Sequence, residues 1–159
     1  MYSKVSGVVL SDATVSYLET ILWAETVSLP VPEDELVEGC MDVDDEHPLH
    51  GVADCEPLDA YFQISDFTVE SLERAQEVVD DFFDQLDSAG LLDRANRFAN
   101  DDRIAYDFWL TRQGHGAGFW DGDYADDTDD VGDALTEVAK GFGECYVDVG
   151  DDGQLYLND

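Results

Sequence analysis

The chain reads as an α+β domain with a small three-stranded sheet, made of one strand and a C-terminal hairpin. Helices pack on one face of that sheet, and a long acidic loop completes the fold. Three observations predict this. Residues 69–88 repeat their apolar side chains at helical spacing. Ile104, Tyr106, Phe108 and Leu110 alternate with Ala105, Asp107, Trp109 and Thr111, which is the period of a strand. Residues 145–149 and 154–158 flank a Gly150-Asp151-Asp152-Gly153 turn, the pattern of a hairpin.

In chain order, residues 12–24 form the first expected helix, with Asp12 as cap and Val15, Leu18, Ile21 and Leu22 as its apolar stripe. Residues 26–60 carry no period and hold Pro30, Pro32, Pro48 and Pro57, so they read as a long acidic loop between the first two helices. The helix over 69–88 is the clearest. Val69, Leu72, Ala75, Val78, Val79, Phe82, Phe83 and Leu86 fall on one face, and seven acids from Glu70 to Asp87 fall on the other. Gly90 ends it, and Leu91, Leu92 and Phe98 mark a short further segment of helical character. After the expected strand and a glycine-rich loop, residues 131–142 return to helical spacing, with Asp129 or Asp130 as cap and Gly143 as stop. Nothing divides residues 1–159, which read as one domain.

Charge sets the class. Thirty-nine acids face seven bases for a formal net charge of −32, Asp outnumbers Glu 27 to 12, and Lys4 and Lys140 are the only lysines. A folded chain of this mass exposes about 8,000 Å², which leaves roughly 200 Å² per carboxylate and about 14 Å between neighbours. The screening length is about 10 Å at 0.1 M salt and about 3 Å at 1 M. Such a surface repels itself in dilute buffer and is relieved in brine, as in the proteins of extreme halophiles. The competing reading gathers the acids on one face that imitates DNA phosphates. The acids recur in every segment after residue 11, which favours dispersal. No apolar run approaches the roughly 20 residues of a membrane span. The N-terminus starts no signal peptide, and Cys40, Cys55 and Cys145 form no disulfide framework. The expectation is a cytoplasmic protein that neither enters a membrane nor binds nucleic acid directly.

The stretch from Tyr106 to Asp121 (YDFWLTRQGHGAGFWD), the triplet Leu135-Thr136-Glu137 and the tail from Tyr146 to Gly153 (YVDVGDDG) are distinctive. Together they resemble a family of small, uncharacterised proteins of tailed phages, prophages and archaeal viruses. The segment Tyr17–Trp23 looks like that family's first helix, and Gln113 stands where the resemblance leads one to expect Asn. The resemblance implies a viral or mobile-element context and no activity.

Several residues carry candidate chemistry. Cys40, His47, His50 and Cys55 supply two thiolates and two imidazoles, a tetrahedral zinc set that would clip the long loop. Their C-x6-H-x2-H-x4-C spacing departs from the usual finger pattern, so the competing reading is chance proximity. Gly114-x-Gly116-x-Gly118 is neither a dinucleotide fingerprint nor a Walker motif, and Asp121 and Asp123 would repel a phosphate. His115 is placed to act as a base oriented by Asp107 or Asp121, but no nucleophile accompanies it, which argues against an enzyme. Arg94, Arg97, Arg103 and Arg112 are expected to pair with nearby acids such as Asp93, Asp101, Asp102 and Asp107.

Trp109, Arg112, His115, Phe119 and Trp120 cluster around the glycine-rich loop as the expected partner-binding surface. On a strand, Trp109 would point away from the helices, to a face left open or covered by segment 121–130 or by the middle loop. The functional expectation is a non-enzymatic binding or regulatory protein of a virus or mobile element of an extreme halophile, acting on a host or viral protein. Its alternatives are a DNA mimic that occupies the groove of a host nucleic-acid-binding or defence protein, and a small zinc-clipped domain.

Overall fold

A computed structural model describes residues 2–26, 29–30, 52–53 and 57–158. It begins with a hairpin, β1 (Tyr2–Val5) and β2 (Val8–Ser11), closed by Ser6 and Gly7 at φ 49° and 93°. Positive φ at both central residues is the geometry that matches the twist of two short strands. The Ser6-Gly7 pair between Val5 and Val8-Val9 is the sequence signal for this hairpin, which the expected element order, starting at residue 12, does not include.

Helix α1 (Asp12–Ala24) follows directly, and its N-cap is Ser11, whose hydroxyl accepts from Thr14 N–H, rather than Asp12. The described ends of the 26–60 segment are joined. Thr26 bridges Pro57, and β3 (Leu29–Pro30) pairs antiparallel with β4 (Val52–Ala53). Helix α2 (Val69–Ser88) has its expected bounds, with Thr68 as cap. The short α3 (Leu92–Ala95) comes next, and α5 (Gly132–Lys140) occupies the centre of the expected 131–142 helix. The C-terminal hairpin is β5 (Tyr146–Val149) with β6 (Leu155–Asn158).

The three-stranded sheet is corrected. Its expected first strand is helix α4 (Asp101–Gln113), and among the described residues the strands form three separate two-stranded sheets, β1–β2, β3–β4 and β5–β6. The chain is still a mixture of helix and strand, but among the described residues no single sheet carries the helices on one face. The reason is burial. Ile104, Ala105, Asp107, Phe108, Trp109, Leu110, Thr111 and Arg112 are all buried, and a helix surrounded by protein has no apolar stripe to reveal its period. The terminal signals were present. Asn100 caps the helix by accepting from Arg103 N–H, Asp101 and Asp102 occupy the first turn, and Gly114 closes it at φ 67°.

The core is built on aromatic rings around α4. Phe108 lies flat on Phe82 of α2 at 3.9 Å between centroids and stacks on Tyr17 of α1 at 5.5 Å. Trp109 meets the same Tyr17 edge-on at 5.3 Å. Phe142, just beyond α5, packs edge-on against Phe108 at 5.2 Å, and Phe119 stacks near Phe82 at 6.1 Å. Helix α4 therefore lies among α1, α2 and α5, with the terminal hairpins at the margins.

Candidate functional site

Of the five residues expected to form a partner surface, three are internal. Trp109 and Phe119 have no exposed surface, and Arg112 has 4%. The sheet face expected for Trp109, left open or covered by segment 121–130 or the middle loop, is not there, because Trp109 sits on a helix against Tyr17. Arg112 donates from Nε to Gly143 O (2.8 Å), from one terminal nitrogen to Phe142 O (3.1 Å) and from the other to Tyr17 Oη (2.8 Å). It thereby satisfies carbonyls past the end of α5, where a cation also meets the negative end of the helix dipole. Phe119 is held by its N–H, which donates to Thr111 Oγ1. At Gly118 an added Cβ would lie 2.6 Å from that oxygen, so the glycine is there for close approach. Trp120 is 38% exposed, with Lys140 Nζ 5.9 Å from the centre of its ring.

His115 is at the surface and its partner is neither Asp107 nor Asp121. Its Nε2 lies 2.8 Å from Glu25 Oε1, and the same oxygen accepts from Trp109 Nε1 at 3.1 Å. Asp121 instead accepts from Gly118 N–H. Asp107 is buried and accepts from Arg103 Nε (2.9 Å) and Tyr124 Oη (2.8 Å). Burial raises the Asp107 carboxyl above the usual aspartate range, partly offset by those two donors. Burial and the Asp107 carboxylate push the Tyr124 phenol well above its ordinary value, so it stays a donor. Arg94 and Arg97 pair across the chain with Asp126 and Asp129, not with Asp93, Asp101 or Asp102.

The expected zinc ligands Cys40, His47, His50 and Cys55 lie outside the described residues. Among the described residues, no group of three or more His, Cys, Asp or Glu is placed to hold a metal ion. No described helix is long and apolar enough to cross a membrane.

The concave feature that gathers candidate functional groups is a groove of about 310 Å³ beside β5. Glu25, Gln113 and His115 line it from the helical side, and residues 144–148 line it from the strand side. Gln113 is the last residue of α4, and its side chain acts as a strand substitute. Its Oε1 accepts from Cys145 N–H at 2.9 Å while its Nε2 donates to Cys145 O. Glu144, Tyr146 and Asp148 are exposed at the rim, where Tyr146 Oη donates to Glu144 Oε2 at 2.9 Å.

On the outward face of the same hairpin, Tyr156 Oη donates to Asp152 Oδ2 at 2.8 Å and Asn158 Nδ2 donates to Asp148 Oδ2 at 2.8 Å. The hydrogen bonds of Tyr146 to Glu144 and of Tyr156 to Asp152 raise both phenols above the ordinary tyrosine value. What results is an ordered surface of tyrosines and carboxylates beside an imidazole. That set is suited to holding hydrogen-bond donors and cations. Sequence reading found His115 here and missed Glu25, Gln113 and Tyr146. Gln113, the departure from the expected Asn, was the available signal.

No protein-family model, curated protein or solved structure matches the chain.

Proposed function

We propose that this chain is a non-enzymatic protein-binding domain whose contact surface is the outward face of the β5–β6 hairpin together with the groove beside β5. The observation that carries this reading is the pair of exposed, fixed tyrosines. Tyr146 is 61% exposed and Tyr156 is 37% exposed, yet each hydroxyl is anchored to a carboxylate. Gly150 lets the Tyr156 ring lie against the turn, since a Cβ there would sit 2.5 Å from the ring. An aromatic side chain held in place at the surface loses little freedom on binding, and tyrosine is among the residues that dominate interface energies.

The setting belongs to the same proposal. The composition supports a host with a molar-salt interior, and the resemblance to phage and archaeal-virus proteins supports a viral or mobile-element origin. The target is then a host or viral protein. Dispersal of the acids supports this over DNA mimicry. Exposed carboxylates come from α2, from the 121–130 segment, from α5 and from the hairpin, rather than from one element.

The test is recovery of partners with a tagged copy at the native salt of its host. Wild type should retain a defined protein in stoichiometric amount, and Tyr146→Ala with Tyr156→Ala should lose it while the melting temperature stays put. Retention of the same protein by the double variant would remove the hairpin face from consideration.

A further inference from the structure

The two edges of the C-terminal hairpin are treated differently. On the β6 edge, Thr68 N–H donates to Leu155 O at 3.0 Å, and Leu157 N–H donates to Ser71 Oγ at 3.0 Å. The start of α2 therefore blunts that edge. Among the described residues, the β5 edge is finished only at its beginning. Gly150 N–H bonds Gln154 O at 2.8 Å, and the register pairs Asp148 with Tyr156 and Tyr146 with Asn158. Since bonded pairs alternate in an antiparallel ladder, residues 146 and 148 turn their peptide groups toward β6, and residues 145, 147 and 149 turn theirs outward. The Gln113 amide takes both outward groups of Cys145. Among the described residues, nothing bonds the outward N–H and C=O of Val147.

An open edge next to a groove is a template for one more strand. Three carboxylates line this groove, and each has one oxygen tied down within the protein. Glu25 Oε1 meets Trp109 and His115, Glu144 Oε2 meets Tyr146, and Asp148 Oδ2 meets Asn158. Among the described residues, the second oxygen of each has no bonded partner. The carboxylates are thus oriented, and one oxygen of each is left to accept from a partner.

We infer that the outer edge of β5 binds an extended, cationic segment of another protein as an added strand. The added strand continues the pairing that Gln113 begins at Cys145, and its Lys or Arg side chains meet Glu25, Glu144 and Asp148. This rests on the protein-binding reading above and specifies its partner. Charge selects the occupant. A second copy of the chain would bring another net charge of −32 to the same acids. The chain's own segment 27–56 contains ten acids and no Lys or Arg. A basic segment gains attraction where both of these are repelled.

The probe is a synthetic octapeptide of alternating Lys and Val, compared with a fully N-methylated copy and with a Glu-Val copy. The full chain is titrated in about 1 M KCl, where diffuse attraction is screened to about 3 Å. Anisotropy reads binding, and amide hydrogen exchange reads Val147. The Lys-Val peptide should bind at least about tenfold more tightly than its N-methylated copy and should slow exchange at Val147. The Glu-Val peptide should not bind. Val147→Pro, which removes an outward N–H at a position where an edge strand accepts proline, should bring binding down to the N-methylated level.

Equal binding of the N-methylated peptide overturns the inference, and this comparison needs only the wild-type chain, so it stands even if the proline variant fails to fold. A Val147 amide already protected in the free monomer overturns it in favour of an intramolecular occupant. Protection that grows with protein concentration overturns it in favour of self-pairing. A natural partner retained in full by a folded Val147→Pro variant removes the added strand and leaves the protein-binding reading intact.

Discussion

Trp109 donates its indole N–H to Glu25 Oε1 at 3.1 Å, which ties the middle of α4 to the residue just past α1. His115 reaches the same oxygen from beyond the end of α4. One carboxylate oxygen therefore joins a fully buried ring to a surface imidazole. The indole also meets Tyr17 edge-on, and the residue carries no exposed surface.

Trp109→Ala should accordingly destabilise the fold by about 3–5 kcal/mol, the usual cost of removing a large buried aromatic. Trp120→Ala, at a 38% exposed position, should change stability by no more than about 1 kcal/mol. Denaturant titrations in molar salt measure both. Equal effects would mean that α4 is not packed as described.

Asp107 makes a prediction about pH. Its carboxyl is raised above the ordinary aspartate value, chiefly by burial. A group raised in the folded state favours folding fully below its unfolded value, and that contribution is lost as pH rises through the folded value. The stability advantage of wild type over Asp107→Asn should therefore shrink as pH increases from the ordinary aspartate range upward. Melting temperatures of the two chains over that window decide it. An advantage that widens with pH would show that Arg103 and Tyr124 outweigh burial.

The elements with one buried face were legible in the sequence. Helix α2 shows its stripe because the opposite side, with Glu73, Glu77, Asp80 and Asp84, meets water. The C-terminal hairpin shows because β5 and β6 have one packed side, and their turn residues are polar and small. Helix α4 was misread because its interior position removes the contrast that periodicity depends on. Its cap residues, Asn100 and Gly114, were the better guide. The site was only half legible for a related reason. Gln113 and Cys145 are 32 positions apart, and Glu25 and His115 are 90 apart. No local pattern announces a side-chain amide that pairs with a distant strand. Tryptophan marked surface candidates by type alone, and type does not separate the buried Trp109 from the exposed Trp120.

The segment after the short helical turn at residues 119–121 is fastened by arginines as well as by the burial of Tyr124. Arg94 and Arg97 both bond Asp129, and Arg97 also meets Asp126 and Thr128. The Arg94 hydrogen bond holds the Asp129 carboxyl below the usual range, so this fastening acts above the ordinary aspartate value and is lost as pH falls through the lowered one. Arg94→Ala should leave the helical core folded and open residues 122–131 to proteolysis at neutral pH. Wild type should show the same cleavage only on acidification. Resistance of the variant at neutral pH would mean that Tyr124, buried against Phe119, holds the segment by itself.

The last prediction concerns salt. The exposed face of α2 alone presents Glu70, Glu73, Glu77, Asp80, Asp81, Asp84 and Asp87 against a single arginine, Arg74. Like charges at helical neighbours repel, by roughly 0.2–0.5 kcal/mol per pair in dilute buffer. Screening at about 1 M salt shortens the reach of that repulsion from about 10 Å to about 3 Å. The melting temperature should therefore rise steeply from dilute buffer to molar KCl. The rise should be smaller in a variant that replaces Glu73, Glu77, Asp80 and Asp84 with Gln or Asn, because fewer repulsions remain to be screened. Circular dichroism melts across the salt range measure both slopes. Salt bridges such as Arg94 to Asp129 act in the opposite direction, since screening weakens them, but they are few against so many acids. A melting temperature independent of salt, or a slope unchanged in the neutralised variant, would show that the acidic coat does not couple the stability of this fold to salt.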